Sequence, residues 1–232
     1  MNTTLPDTTM TNDPARPIAF VLAATNHGSM IVNRFDYRQV NDNAYGVGHQ
    51  LLNFSSFDPE EVSFVLQLLE TRRAHYGDGV FAIDCGANIG VHTLEWAKFM
   101  HGWGQVLAFE AQERVFYALV GNLALNNCFN ARALWAAVGA ESGQMGVPIP
   151  DYFVPSSFGS LELRPSQKNE FIGQTVDYSP QSLMPTQMIA LDDLRIPRVD
   201  LIKIDIEGME IDALKGARAL KQLFSARLPT KA

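Results

Sequence analysis

From residue 80 to residue 220 the chain alternates short apolar runs with helix-patterned segments, and no other feature restricts the fold as much. The runs are VFAIDC, QVLAFEA, ARALWAAVG and, after a long excursion, VDLIKIDIEG. Residues 90–101 carry Val91, Leu94 and Ala97 on one face, and residues 114–126 carry Phe116, Leu119, Val120 and Leu123. After the last run, Ile211, Leu214, Ala217 and Leu220 repeat the helical spacing. Strands too apolar to keep one face in water, separated by helices, predict an α/β fold with a doubly wound, mostly parallel sheet. Ligands of such sheets bind beyond the carboxyl ends of the strands, where the strand order reverses. Asp84, Glu110 and Asp205 all fall at such ends.

The flanking segments divide the chain. Residues 1–17 are polar and without period, which predicts a disordered leader. Residues 18–79 predict an N-terminal hairpin and helix. Two apolar strands flank the turn Asn26-His27-Gly28-Ser29. The helix starts at Asp58-Pro59-Glu60-Glu61, with Asp58 as cap and Glu61 completing a capping box. Val62, Val65, Leu66 and Leu69 form its apolar face and Gly77 ends it. The main domain spans residues 80–224. Within it, the excursion at residues 140–190 holds six of the chain's twelve prolines, between Pro148 and Pro185, interleaved with Tyr152, Phe153, Phe158, Phe171 and Tyr178. Aromatics in so long a loop suit a lid or substrate wall better than a free linker.

Charge and cysteines narrow the function classes. A net charge of −7 without a basic run argues against nucleic acid as partner. Cys85 and Cys128 supply neither a disulfide framework nor a zinc spacing, and no apolar run reaches the length of a membrane span. A soluble, cytoplasmic protein is the expectation. Cys85, beside an aspartate, reads as a packing residue rather than a nucleophile.

The first turn suggests the ligand. Its pattern is Asp84-x-Gly86-x-Asn88-x-Gly90, with Asn88 where a dinucleotide fingerprint has its middle glycine. Read as pointing towards the pocket mouth, Asp84 would repel a phosphate by several kcal/mol at about 4 Å. It would instead welcome a ligand carrying an ammonium and a sulfonium, and S-adenosylmethionine is such a ligand. Glu110 is placed to accept hydrogen bonds from both ribose hydroxyls. In LIKIDIEG, Lys203, Asp205 and Glu207 share one face opposite three isoleucines. A buried Lys203–Asp205 ion pair holding the strand end is the structural reading; Asp205 and Glu207 could also anchor the cofactor amine, hold substrate or take a proton.

Taken in order, IDCGANIGVHTLEWA, VLAFEAQE, NLALNN, WAAVG, IALDDL and DLIKIDIEGMEIDALKGA resemble the FkbM-type S-adenosylmethionine-dependent methyltransferases. The resemblance implies a Rossmann-like class I methyltransferase fold and O-methylation of a hydroxyl on a small molecule or saccharide. It places Asp84, Gly86, Asn88 and Gly90 around the methionine part, Glu110 on the ribose, and the loop at Ala137 and Val138 near the adenine. Proton-acceptor candidates are Asp205, Glu207 and His92, in that order, with His49 a weaker one. No cluster demands a metal. The resemblance implies further strands after the last helix; read without them, the fourth strand is expected to be an open edge that a partner chain, such as a second copy, covers. The rival readings are a methyltransferase-like domain that binds without catalysing and a nicotinamide-dependent oxidoreductase.

Overall fold

The computed structural model describes residues 17–166 and 169–220. Residues 1–16 of the expected leader, and the expected end of the last helix near Phe224, lie outside this range. The chain opens with the hairpin β1 (Phe20–Thr25) and β2 (Gly28–Asn33), closed by a two-residue turn at Asn26-His27. The small ladder β3 (Arg38–Val40) and β4 (Asn43–Tyr45) follows, then helices α1 (Val47–Phe54) and α2 (Pro59–Tyr76). Gly77 ends α2 as its spacing predicts, and Val62, Val65 and Leu69 are buried on the expected face.

The start of α2 departs from expectation. Asp58 makes no side-chain cap; its Oδ1 accepts from the Gln50 side chain, and Glu61 turns away from the helix end. Both acidic groups thus work between elements rather than at the helix terminus.

The main sheet is parallel. It contains β5 (Val80–Cys85), β6 (Gly104–Glu110), β7 (Ala131–Trp135) and β11 (Leu201–Ile204), in the order β11-β5-β6-β7. Helices α3 (Val91–Phe99) and α4 (Glu113–Leu125) link β5 to β6 and β6 to β7. Because β5 has β6 on one side and the last strand on the other, the strand order reverses at β5.

Strand parity sorts the core into two layers. Val80, Ala82, Val106 and Ala108 pack with Leu69, Leu94, Trp96 and Leu119 from the helices α2, α3 and α4. Ile83, Cys85, Leu107 and Phe109 point the other way, against Leu191, Ala213 and Ala217. Fully burying one such large apolar side chain is worth about 1.5–3 kcal/mol. Both faces are therefore dry, as a doubly wound sheet requires.

Three elements differ from their sequence reading. ARALWAAVG splits into β7 and the two-residue β8 (Ala137–Val138), which joins a second sheet. The excursion is not all loop: β9 (Gly143–Pro148) and β10 (Leu183–Ile189) pair antiparallel, and β8 pairs parallel to β10. The last described helix, α5 (Glu210–Lys215), buries Ala213 while Ile211 and Leu214 are exposed, so its inward face is rotated from the one expected. Ala217 and Leu220 are buried as expected.

Candidate active site

A cleft of about 250 Å³ opens where the strand order reverses, at the carboxyl ends of β5, β6 and β11. Its floor is the turn between β5 and α3. Gly86 and Ala87 both donate to the Phe109 carbonyl, tying this turn to β6. Asn88 takes φ 51°, a left-handed conformation that asparagine tolerates better than most residues, and this is why it can stand among the glycines. Its backbone amide, exposed by that turn, donates to Glu110 Oε2 at 2.9 Å.

Glu110, the last residue of β6, lines the cleft. It is 6% exposed, and its Oε1 accepts from the Gln112 amide at 2.8 Å. Each carboxylate oxygen therefore holds one backbone donor and retains acceptor capacity towards the cleft that the residue lines. Burial pushes its pKa up to about 7, against the backbone amides of Gln112, Asn88 and Ala111, which favour the charge. Ala137 and Val138 line the same cleft, with Leu163 contributed by the excursion.

Asp84 does not stand where the sequence reading put it. It is fully buried, beneath the floor rather than on the wall. Parity is the reason: Asp84 shares the face of Val80 and Ala82, which looks at α3, and Lys203 is its register neighbour in β11. Thr93 Oγ1 donates to its Oδ2 at 2.6 Å, while Oδ1 has no hydrogen-bond partner and lies 3.9 Å from Lys203 Nζ.

The expected Lys203–Asp205 pair is present at 2.9 Å, but it is not buried: the Asp205 side chain is 65% exposed at the rim beyond β11, while Lys203 is 15% exposed. Lys203 thereby bridges two carboxylates. Burial pulls its ammonium down, but Asp84 and Asp205 outweigh burial and hold it above its ordinary value. Asp205 and Glu207 lie just beyond the end of β11, and with Lys203 and His92 they line the cleft. Burial, then Asp205 and the more distant Glu210, Glu170 and Glu162, raise the Glu207 pKa. His49 is not on the cleft; it turns towards Asn53 and the Phe54 ring. Cys85 is buried in the second core layer, and burial, reinforced by Asp84, pushes its thiol far above the ordinary range.

A buried carboxylate that the sequence reading missed holds the outer wall together. Asp36, 4% exposed, accepts from the Gly48 amide through Oδ2 and from the Phe158 amide through Oδ1. It thus clasps the start of α1 to the excursion, and both clasped segments reach the cleft, through Gly46 and Val47 and through Ser157, Gly159 and Ser160. Burial raises its pKa to about 6. Nothing in NRFDYRQV distinguishes this aspartate from a surface turn residue, since both amides it serves are remote in sequence. Asp36→Ala leaves two buried amides unpaired, at about 1–3 kcal/mol each, but also removes a charge that burial disfavours at pH 7, so the net loss there should be about 1–3 kcal/mol. Hydrogen exchange should quicken at Gly48 and Phe158 together; unaltered protection at either amide would contradict the clasp.

The model of the methyltransferase FkbM domain matches residues 84–227 of the chain. The chain belongs to the FkbM methyltransferase domain family. Two fungal proteins are similar to it: methyltransferase sdnD of Sordaria araneosa, 25% identical over 71% of this chain and 72% of its own length, and methyltransferase 1 of Beauveria bassiana, 27% identical over 62% and 60%. Among solved structures, the methyltransferase FkbM of Methylobacillus flagellatus aligns with 64% of this chain and 31% of its own, at 20% identity and a TM-score of 0.43. This FkbM-domain chain thus spans 60% of the second relative and about a third of that structure. The family match begins at Asp84, yet Gly46, Val47 and Phe57, which precede it, line the cleft. Part of the cleft wall is therefore supplied by residues outside the family match.

Proposed function

We propose that the protein is an S-adenosylmethionine-dependent methyltransferase acting on a hydroxyl of a small molecule or saccharide. The observation that carries the cofactor is Glu110: a buried carboxylate at the end of β6, lining the cleft, its two oxygens held by backbone amides and each able to accept once more. A ribose diol is a pair of donors with the matching chemistry. The rest of the cleft fits the same ligand. Gly86 and Gly90 put bare backbone at the floor, and the buried, apolar Ala137, Val138 and Leu163 suit a flat base.

A nicotinamide dinucleotide fits less well. Its pyrophosphate would sit on free backbone amides of the glycine turn, but the Asn88 amide is held by Glu110, and the one Lys or Arg among the described residues lining the cleft, Lys203, is already paired with Asp205.

The cofactor, when bound, supplies an activated methyl group, so the protein has no difficult bond chemistry of its own to perform. Its residues bind and orient, and they receive the acceptor's proton. Glu110 orients the ligand through its sugar. Three groups able to hold a proton, Asp205, Glu207 and His92, border the same cleft, which favours transfer to a group that must lose one. The walls beyond them come from α1 and the excursion, and these would shape the acceptor's seat.

Isothermal titration calorimetry tests the reading directly. Binding of S-adenosylmethionine and S-adenosylhomocysteine, with no heat from NADH, is the expected result. Preference for the dinucleotide would overturn it.

A further inference from the structure

We propose that Lys203 and Asp205 together read the amino-acid end of the cofactor, Lys203 Nζ donating to its carboxylate and Asp205 accepting from its ammonium. The proposal rests on the methyltransferase reading above and adds how the protein recognises the part of the ligand that lies beyond the ribose.

Both groups are open to a ligand. They line the cleft, and Asp205 is exposed at its rim while Lys203 is partly exposed. The contact between them is a hydrogen bond from Nζ to Asp205 Oδ2 at 2.9 Å. It uses one of the three ammonium hydrogens, and Asp205 Oδ1 has no hydrogen-bond partner among the described residues. The pair therefore keeps both a donor and an acceptor for a third party.

An α-amino acid carries its ammonium and its carboxylate on one carbon, about as far apart as these two partners. Laid head to tail along the pair, it gives each protein charge a second opposite charge and need break no contact. A pyrophosphate brings anions alone and would have to take Lys203 from Asp205. The pair thus favours a ligand that bears both charges over one that bears either.

Lys203 is held in place for this from below. It is the register neighbour of Asp84, whose buried Oδ1 has no hydrogen-bond partner and lies 3.9 Å from Nζ, while Thr93 holds the other oxygen at 2.6 Å. A buried carboxylate oxygen without a donor is unfavourable, and the nearby ammonium offsets part of that cost. Glu61 on α2, 3.4 Å from His92 Nε2, also favours the charged lysine from further away. Asp84, expected on the cleft wall, instead anchors the lysine that stands there. With Asp205 given to the ammonium, Glu207 and His92 remain on the cleft for the acceptor's proton.

Calorimetry with four ligands tests the pair without any turnover. S-adenosylhomocysteine carries both charges, its decarboxylated analogue only the ammonium, its deaminated analogue only the carboxylate, and 5′-methylthioadenosine neither. All four offer the same ribose to Glu110. The wild-type protein should bind S-adenosylhomocysteine about 10- to 150-fold more tightly than either one-charge analogue. Lys203→Met should bring the advantage over the decarboxylated analogue below about threefold, and Asp205→Asn should do the same for the deaminated one. In both variants 5′-methylthioadenosine should bind within about threefold of the wild type, which also reports that the cleft is folded. Where Lys203→Met alone does not fold, Asp84→Asn/Lys203→Met removes the buried charge together with its partner and should show the same lost advantage. A wild-type protein that does not prefer S-adenosylhomocysteine to the analogues overturns the proposal. So does a preference that the matching variant leaves in place. Failure of the wild-type protein to bind both S-adenosylhomocysteine and 5′-methylthioadenosine removes the cofactor reading and the proposal with it. Binding of 5′-methylthioadenosine with no gain from the amino-acid end overturns the proposal alone.

Discussion

Gly86→Ala should unfold the protein or come close to it, with a loss of at least about 4 kcal/mol in urea denaturation. Two costs combine. Gly86 has φ 80°, where an L side chain is strained by about 1–2 kcal/mol. More seriously, a Cβ there would lie 1.9 Å from the carbonyl oxygen of Asp205 and 2.8 Å from its carbon, both backbone atoms that no rotamer change can move aside. The collision falls where β5 meets the end of β11, beside the bond from the Asp205 amide to the Cys85 carbonyl at 3.0 Å. Opening that seam would separate the floor of the cleft from Asp205 and Glu207. Gly102→Ala is the control. Gly102 has φ 81° but nothing within 4 Å of its Cβ position, so it carries the strain without the clash and should lose only about 1–2 kcal/mol. Equal losses in the two variants would show that β5 and β11 do not approach as described.

Gly90 illustrates what spacing conceals. A side chain there reads from sequence as pressing on the cofactor or the facing strand. In the structure its Cβ would instead meet the Leu119 side chain of α4 at 2.5 Å. Glycines at Gly86 and Gly90 are indistinguishable in a motif, yet one is confined by backbone and the other by a leucine that can rotate.

The same contrast runs through the fold. β5 coincides with VFAIDC and α2 ends at Gly77, because a run buried on both sides and a glycine stop are local signals. The inward face of α4 was only half legible. Leu119 and Leu123 are buried as their spacing predicts, but Val115 and Ala118 take the places expected of Phe116 and Val120. Small residues win there because α4 lies close against the hairpin, where the buried Asn122 side chain accepts from the Ile31 amide and donates to the carbonyls of Ile31 and Ile89. A polar side chain serving three backbone groups from two other elements leaves no mark in a hydrophobic period. Asp84 was misplaced for a related reason. Its position at a strand end was legible, but the face it takes depends on strand parity and on Lys203 alongside. Asp36 and Glu61 were wholly non-local: the partners of each come from segments that only the folded chain brings together.

Glu110→Gln should separate binding from stability more clearly than any other substitution. The carboxylate's folded pKa of about 7 lies above its ordinary value of 4.5. Between those two values the folded protein holds a proton that the unfolded chain has released, so stability falls as pH rises through that window, by roughly 3 kcal/mol in all. Asp36, raised from 3.8 to about 6, adds a fall of the same sign at slightly lower pH. Glutamine carries no charge to desolvate. It loses one acceptor, so one of the Asn88 and Gln112 amides goes unpaired, at about 1–3 kcal/mol. At pH 8 these changes oppose each other, and the variant's urea midpoint should move little. Its stability between about pH 5 and 7 should lose the slope that Glu110 contributes and keep the part due to Asp36. Affinity should behave differently. The ionised carboxylate is the form that accepts from two hydroxyls, and glutamine offers only one oxygen, so S-adenosylhomocysteine should bind about 5- to 150-fold more weakly. In the wild-type protein that affinity should also fall as pH drops below about 7, approaching tenfold per pH unit, because the free protein takes up a proton that binding must expel. In Glu110→Gln this pH dependence should vanish. A variant that binds S-adenosylhomocysteine as tightly as the wild type, with the pH dependence intact, would mean that Glu110 holds the turn at Asn88 and does not touch the ligand.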